Sequence, residues 1–210
     1  MSYFPFFMEL EGAKCLIAGG GTVAYRKIQT LLSYGVHMTI VAPDICEGVA
    51  DLLTKEPERL WWERRTFQKE DVEDKLFVIA ATDDKEVNAF ISCLCKESNI
   101  LVNVVDVKEE CSFLFPALVK RDELVVGISS AGNSPLLSGR LRCGIEELLP
   151  DFYGDLNRQL GSLREQVGTR VSPANRKDCY AELLEQGEKK KNILSEAEIE
   201  QLIQKWERKD

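Results

Sequence analysis

A single histidine, His37, is all the imidazole in this 210-residue chain. A zinc site built on histidines is therefore not expected. Basic residues are also in deficit. The 27 Lys and Arg stand against 35 Asp and Glu, a formal charge of −8, whereas a nucleic-acid binder usually carries the opposite balance. No uncharged apolar run approaches the roughly 20 residues of a spanning helix, so no membrane association is expected. The stretch Met1-Ser2-Tyr3-Phe4-Pro5-Phe6-Phe7 is apolar, but it has no basic leader and meets Glu9 and Glu11 early, unlike a signal peptide.

The seven cysteines, at 15, 46, 93, 95, 111, 143 and 179, are odd in number, and several lie inside apolar runs. Cys93-Leu94-Cys95 has neither zinc-knuckle nor thioredoxin spacing. All seven read as reduced, structural thiols of a cytosolic protein. With 44% apolar and 30% charged residues, the composition is that of an ordinary globular chain able to build a core.

The pattern along the chain is organised. Lys14 to Ala18 is a short apolar run ending in Gly19-Gly20-Gly21. Val23, Ala24, Ile28, Leu31 and Leu32 then share a helical face, with Gly35 at the position of a C′ glycine. Val36 to Ala42 reads as a second strand. Strand, glycine turn, helix and strand make a βαβ unit, which requires a parallel sheet. Ile45–Leu53 reads as a helix, Leu60–Arg65 and Leu76–Ala81 as strands, Glu86–Ser98 as a helix and Ile100–Val105 as a fifth strand. The expected fold is α/β: a Rossmann-like, doubly wound parallel sheet over residues 1–111.

Two apolar runs, Ser112–Lys120 and Leu124–Ser129, flank Arg121-Asp122-Glu123 as an antiparallel hairpin. Both faces of such a hairpin need cover, and a second copy of the chain could supply it. Residues 112–148 are thus expected to serve dimerisation and substrate binding. Residues 149–210 are expected to be helical, with Phe152, Leu156, Leu160, Leu163 and Val167 at helical spacing. Gln186–Asn192 reads as a polar linker, and Ser195-Glu196-Ala197-Glu198 as a capping box opening a last helix through Trp206.

Four segments carry candidate chemistry. Gly19-Gly20-Gly21-Thr22-Val23-Ala24 fits G-x-G-x-x-A between a strand and a helix, the context a dinucleotide fingerprint requires. Gly19 serves the tight turn, Gly21 the approach of a pyrophosphate and Ala24 close helix packing. A ligand-free structural turn is the alternative. Pro43 and Asp44 follow the second strand, with Asp44 placed 20 residues after Ala24 to meet ribose hydroxyls. No Arg or Lys lies between Pro43 and Leu53, which favours NAD over NADP. Ala81, Thr82 and Asp83 end the fourth strand at the same sheet edge; a helix-capping turn is the bland reading there. Asp106 ends the fifth strand and is a candidate general base, with a solvated turn aspartate as the alternative. Ser129, Ser130, Asn133 and Ser134 form a hydroxyl-rich turn before Pro135. With Lys120, Arg121, Arg140 and Arg142 it is a candidate anion cradle, or simply a capped helix.

Taken together, Tyr3-Phe4-Pro5-Phe6-Phe7, Gly19 to Lys27, Ala80 to Asp84, Asn103 to Asp106 and Ser129 to Pro135 resemble the precorrin-2 dehydrogenase family, the N-terminal module of sirohaem synthases. The resemblance runs over most of residues 1–165. It implies NAD-dependent dehydrogenation of precorrin-2 to sirohydrochlorin, and a homodimer built through the hairpin region. It places Thr22, Val23, Pro43 and Asp44 at the NAD site, makes Asp106 the catalytic aspartate and matches Ser130 to a serine at the tetrapyrrole site. Some relatives also insert Fe(II), and that activity stays open. The methyltransferase activity of fused bacterial versions is not expected of these residues. His37 reads as a packed or edge histidine of the second strand rather than a metal ligand. A non-catalytic NAD-sensing module is the alternative from another class, since the fold and the glycine turn would serve it equally.

Overall fold

The computed structural model describes residues 3–207; Met1 and Ser2, which begin the apolar N-terminal stretch, lie outside them. The chain divides into two compact units, the first ending at Phe115 and the second beginning at Pro116.

In the first unit, strands β1 (Lys14–Ala18), β2 (His37–Val41), β3 (Leu60–Glu63), β4 (Phe77–Ala80) and β5 (Leu101–Val104) form one parallel sheet of order β3-β2-β1-β4-β5. Helices α1 (Thr22–Leu32), α2 (Glu47–Lys55) and α3 (Lys85–Glu97) cover it. The inner strands read as continuous apolar runs because both faces are covered. Alternate residues feed two cores, one holding Ile17, Ile40 and Ile79 with α1, the other Leu16, Val78 and Val102 with α3. Each fully buried Ile or Leu contributes about 1.5–3 kcal/mol of transfer free energy, so register is strongly specified. The strand order reverses between β1 and β4, and in such sheets ligands bind at that crevice, outside the carboxyl ends of the strands.

The β3–β4 crossing holds a short 3-10 turn at Lys69–Val72, because Arg64–Lys75 has no apolar stripe. Arg65 ties this crossing with bonds to Asp71 at 2.8 and 2.6 Å. Two local expectations are corrected. Gly35, with φ +69°, comes one residue later than C′, since Ser33 is the C-cap of α1. Residues 112–116 are not strand: Ser112 and Phe113 instead bond to the outer edge of β5.

The second unit opens with a hairpin of β6 (Ala117–Arg121) and β7 (Leu124–Ile128). Val119 is its one fully buried residue, and the rest of the hairpin is half-buried or exposed. Helix α4 (Pro135–Leu148) packs on β6. Its Leu136, Leu137, Leu141 and Leu148 stay exposed. Helices α5 (Phe152–Ser162), α6 (Arg164–Arg170), α7 (Arg176–Lys190) and α8 (Glu196–Trp206) surround a core of Val167, Cys179, Leu183, Leu194 and Ile203.

The capping box at Ser195 and Glu198 is present, with both reciprocal bonds. The expected linker at Gln186–Asn192 is not: α7 continues to Lys190 and ends at left-handed Lys191. Local polarity is overridden by packing, because Gly187 is buried against Leu156 of α5, where a Cβ would stand 2.5 Å from a Leu156 methyl. Among the described residues no helix is long and apolar enough to cross a membrane.

Candidate functional site

The glycine turn between β1 and α1 is built from three different constraints. Gly19 has φ +116°, and a Cβ there would lie 2.2 Å from the Ala81 carbonyl oxygen. A Cβ on Gly20 would lie 2.4 Å from the Asp44 carbonyl oxygen, and the Gly20 carbonyl accepts the Cys46 N–H at 2.8 Å. A Cβ on Gly21 would meet nothing within 4 Å. So Gly19 and Gly20 are glycines because neighbouring loops touch them, and Gly21 leaves open space. Gly21 is also the N-cap of α1, and no side chain caps that helix. The first N–H groups of a helix lack intrahelical partners and carry its positive dipole end, so Thr22 and Val23 open a helix suited to an anion. Ala24 is fully buried, as close packing of α1 requires.

These glycines line a cleft of about 810 Å³ at the carboxyl edge of the sheet. Pro43 and Asp44 line it on the β2 side, and Ala81, Thr82 and Asp83 on the β4 side. Eight of the predicted cofactor residues are thereby brought together, with Thr22 and Val23 in the helix turn that follows them. The residues fit a dinucleotide: an open backbone approach, an uncapped helix start and a carboxylate beyond β2.

Further residues contribute, and of these Asn88, Phe67 and Phe90 carry no signal in the sequence pattern. Asn88 of α3, buried in the turn, accepts from the Thr82 hydroxyl at 2.8 Å and donates to the Thr82 carbonyl at 2.9 Å. Asp84 caps α3 by accepting from Glu86 and Val87 N–H. The capping reading therefore holds for Asp84, while Asp83 is left exposed on the cleft. Phe67 and Phe90, packed edge to face with their ring centroids 6.3 Å apart, add an apolar wall.

An arginine also stands at the Asp44 corner. Arg64 donates to the Pro43 carbonyl at 3.2 Å and to Asp44 Oδ1 at 3.3 Å. It arrives from the end of β3 because Val41 is in register with Glu63. Both side chains are well exposed, so the pair itself adds little stability.

Asp106 does not line this cleft. It sits in the loop after β5, exposed, with a left-handed φ of +62°. Cys111 closes that loop: its thiol accepts the Val104 N–H at 3.1 Å and lies 3.2 Å from the Val104 carbonyl and 3.3 Å from that of Val107. Burial pushes the Cys111 thiol up from its ordinary value, so it keeps its proton. Lys27 of α1 lies 3.7 Å over the Phe115 ring, and burial holds its ammonium below the usual lysine range.

In the second unit the turn hydroxyls are used locally. Ser129 accepts from Ala131 N–H, Ser130 from Ser134 N–H at 3.1 Å, and Ser134 caps α4 through Leu137 N–H with Pro135 beside it. Ala131 and Gly132 both have positive φ, and Asn133 is exposed. The basic residues differ. Arg121 is bonded to the Leu149 carbonyl at 2.7 Å and to Asp151 at 3.0 Å, bracing the α4–α5 connection. Arg142 pairs with Glu146, Lys120 is half-buried and Arg140 is exposed.

Comparison with known proteins agrees with this fold. Residues 6–117 match a family described as putative NAD(P)-binding. The siroheme synthase of Nitrosospira multiformis is 40% identical over 188 residues, covering 88% of this chain and 40% of that protein. The siroheme synthase of a Psychrobacter species is 40% identical over 171 residues, covering 81% and 35%. The chain thus spans about two-fifths of the length of the curated relatives it matches. A solved structure, SirC, a precorrin-2 dehydrogenase, aligns with a TM-score of 0.78 at 26% identity, over 97% of this chain and 98% of that one. The chain belongs to the putative NAD(P)-binding family, and its resemblance to the precorrin-2 dehydrogenases holds across both of its units.

Proposed function

We propose that the protein oxidises precorrin-2 to sirohydrochlorin with NAD⁺ as acceptor. The observation that carries this is the open Gly21 position at the uncapped start of α1, inside a fold shared with a precorrin-2 dehydrogenase. When bound, NAD⁺ supplies the hydride acceptor.

The chain's residues do the rest. Gly21, Thr22 and Val23 present backbone to the pyrophosphate, and Asp44 accepts from ribose hydroxyls. Asp106 takes the proton that balances the hydride, so the substrate loses one of each. The substrate is rimmed with carboxylates, and a chain of net charge −8 needs local donors to attract it. Ser129, Ser130, Asn133, Ser134 and Arg140 are the residues we assign to that task, with Lys120, Arg121 and Arg142 adding positive charge nearby in sequence. Arg121 and Arg142 are already engaged, so their contribution is to the field rather than to direct forks. The exposed leucines of α4 and the thinly covered hairpin support a homodimer.

The test is conversion of precorrin-2, generated in situ, with NAD⁺ and the purified protein. Chromatographic identification of sirohydrochlorin supports the reading. Unchanged precorrin-2 beside demonstrated NAD⁺ binding favours the sensing module instead.

A further inference from the structure

Strand β5 is an edge of the sheet, and its outward N–H groups would ordinarily be left to solvent. Side chains from the segment after the Asp106 loop satisfy them. Val102 N–H donates to the Ser112 hydroxyl at 2.7 Å, and Ser112 N–H returns to the Val102 carbonyl at 2.8 Å. Val104 N–H donates to the Cys111 sulfur at 3.1 Å. The same thiol can donate to the carbonyl of Val104 or of Val107. Asn103, buried, reaches the Phe113 carbonyl at 3.1 Å. The far side of the loop is anchored to α3 where the Ser92 hydroxyl donates to the Glu110 carbonyl at 2.7 Å.

Val104 and Val107 bracket Asp106, and one sulfur atom touches the backbone of both. We infer that Cys111 is a positioning residue, which holds the loop around left-handed Asp106 in its working shape through these bonds. This deepens the reading of Asp106 as the base under Proposed function and rests on it.

The chemistry suits a thiol. Sulfur is a weak acceptor and donor whose longer bond to Cβ spans the loop base, and it is at home in an apolar core. Cys111 lies in the cluster of Leu16, Val78, Val102 and Val104. A serine would keep the hydrogen-bonding groups with a shorter reach. An alanine would leave the Val104 N–H without its partner. Neither change touches the dinucleotide cleft, which Cys111 does not line.

The experiment compares Cys111→Ala, Cys111→Ser, Asp106→Asn and the double variant Asp106→Asn/Cys111→Ala. Cys95→Ala is the control: Cys95 is a fully buried thiol of the same core, on α3. Steady-state turnover of precorrin-2, NADH affinity by fluorescence and thermal unfolding are read for each. The expected result is a fall in kcat of about tenfold or more for Cys111→Ala, with NADH affinity within about twofold of wild type, as for a displaced catalytic group. Cys111→Ser falls between, and Cys95→Ala keeps its kcat whatever stability it loses. The double variant is no slower than Asp106→Asn, because the thiol acts through the carboxylate.

Cys111→Ala with the kcat of Cys95→Ala overturns the inference, and so do losses that multiply in the double variant. Should Cys111→Ala not fold, Cys111→Ser with wild-type kcat overturns it equally. Wild-type turnover in Asp106→Asn removes the base reading itself, and this inference with it. A slow Asp106→Asn beside an undisturbed Cys111→Ala overturns the inference alone.

Discussion

Gly20 and Asp44 meet backbone to backbone: a Cβ on Gly20 would stand 2.4 Å from the Asp44 carbonyl oxygen. The glycine turn and the carboxylate beyond β2 are thereby one packed unit, although 24 positions separate them in sequence. A Cβ on Gly21, the next residue, would meet nothing within 4 Å.

That contrast predicts different behaviour for two neighbouring substitutions. Gly20→Ala must push the Pro43–Asp44 loop aside and is expected to lose about 1–3 kcal/mol of stability, the usual cost of overpacking, along with NADH affinity. Gly21→Ala is expected to keep the wild-type melting temperature and lose NADH affinity, because its methyl occupies the approach to the helix start. Thermal unfolding with a fluorescence titration separates the two. Equal affinity in Gly21→Ala and wild type contradicts a pyrophosphate at this turn.

Asp44 is the acceptor assigned to the ribose. Asp44→Ala is expected to weaken NADH binding by about tenfold to a hundredfold, the range for losing hydrogen bonds to a charged group. Arg64→Met, which frees Asp44 from its partner at 3.3 Å, is expected to leave NADH binding near wild type or improve it. An affinity unaffected by Asp44→Ala would place the ribose elsewhere.

Asp106 should separate chemistry from binding. Asp106→Asn is expected to fold, bind NADH as wild type does and turn over at least about a hundredfold more slowly, within the usual range for a general base. Stopped-flow measurement of the first turnover, with NADH affinity measured in parallel, checks both halves of that expectation.

Acid should loosen the C-terminal helices. Lys190 and the Ser195 N–H and hydroxyl hold Glu198 down at about 2, and Arg170 with Gln204 holds Glu200 at about 2, against an ordinary value of 4.5. A depressed carboxylate pKa stabilises the fold above the ordinary value, and the contribution is lost as pH falls from 4.5 toward 2. Thermal unfolding followed across that window is expected to show a downward slope that Glu198→Gln and Glu200→Gln together flatten. Both groups are exposed, so the effect is modest and shrinks in salt. An unchanged slope in the double variant would put the acid sensitivity elsewhere.

Much of the first unit is legible along the chain because its signals are local. Strand, glycine turn and helix follow one another within residues 14–32, and the inner strands announce double-sided burial by uninterrupted apolar runs. The second unit is legible where caps are chemical, at Ser134-Pro135 and at Ser195 with Glu198. What escaped depends on contacts between distant segments. Gly20 looks like filler in G-x-G until the Asp44 loop is packed on it. Arg64 reaches the Asp44 corner only through the pairing of β2 with β3, which spacing along the chain does not reveal. Asn88 reads as one more polar helix residue until it turns inward onto Thr82. The polar run after Gln186 stays helical because Gly187 has Leu156 to pack against.

The most direct test of the account is NADH formation, followed by absorbance, when precorrin-2 generated in situ is given NAD⁺ and the purified protein without oxygen. The account predicts one NADH for each sirohydrochlorin formed, at a rate proportional to protein and far above the uncatalysed control. Sirohydrochlorin forming no faster than in that control, with NAD⁺ left unreduced though bound, would contradict it.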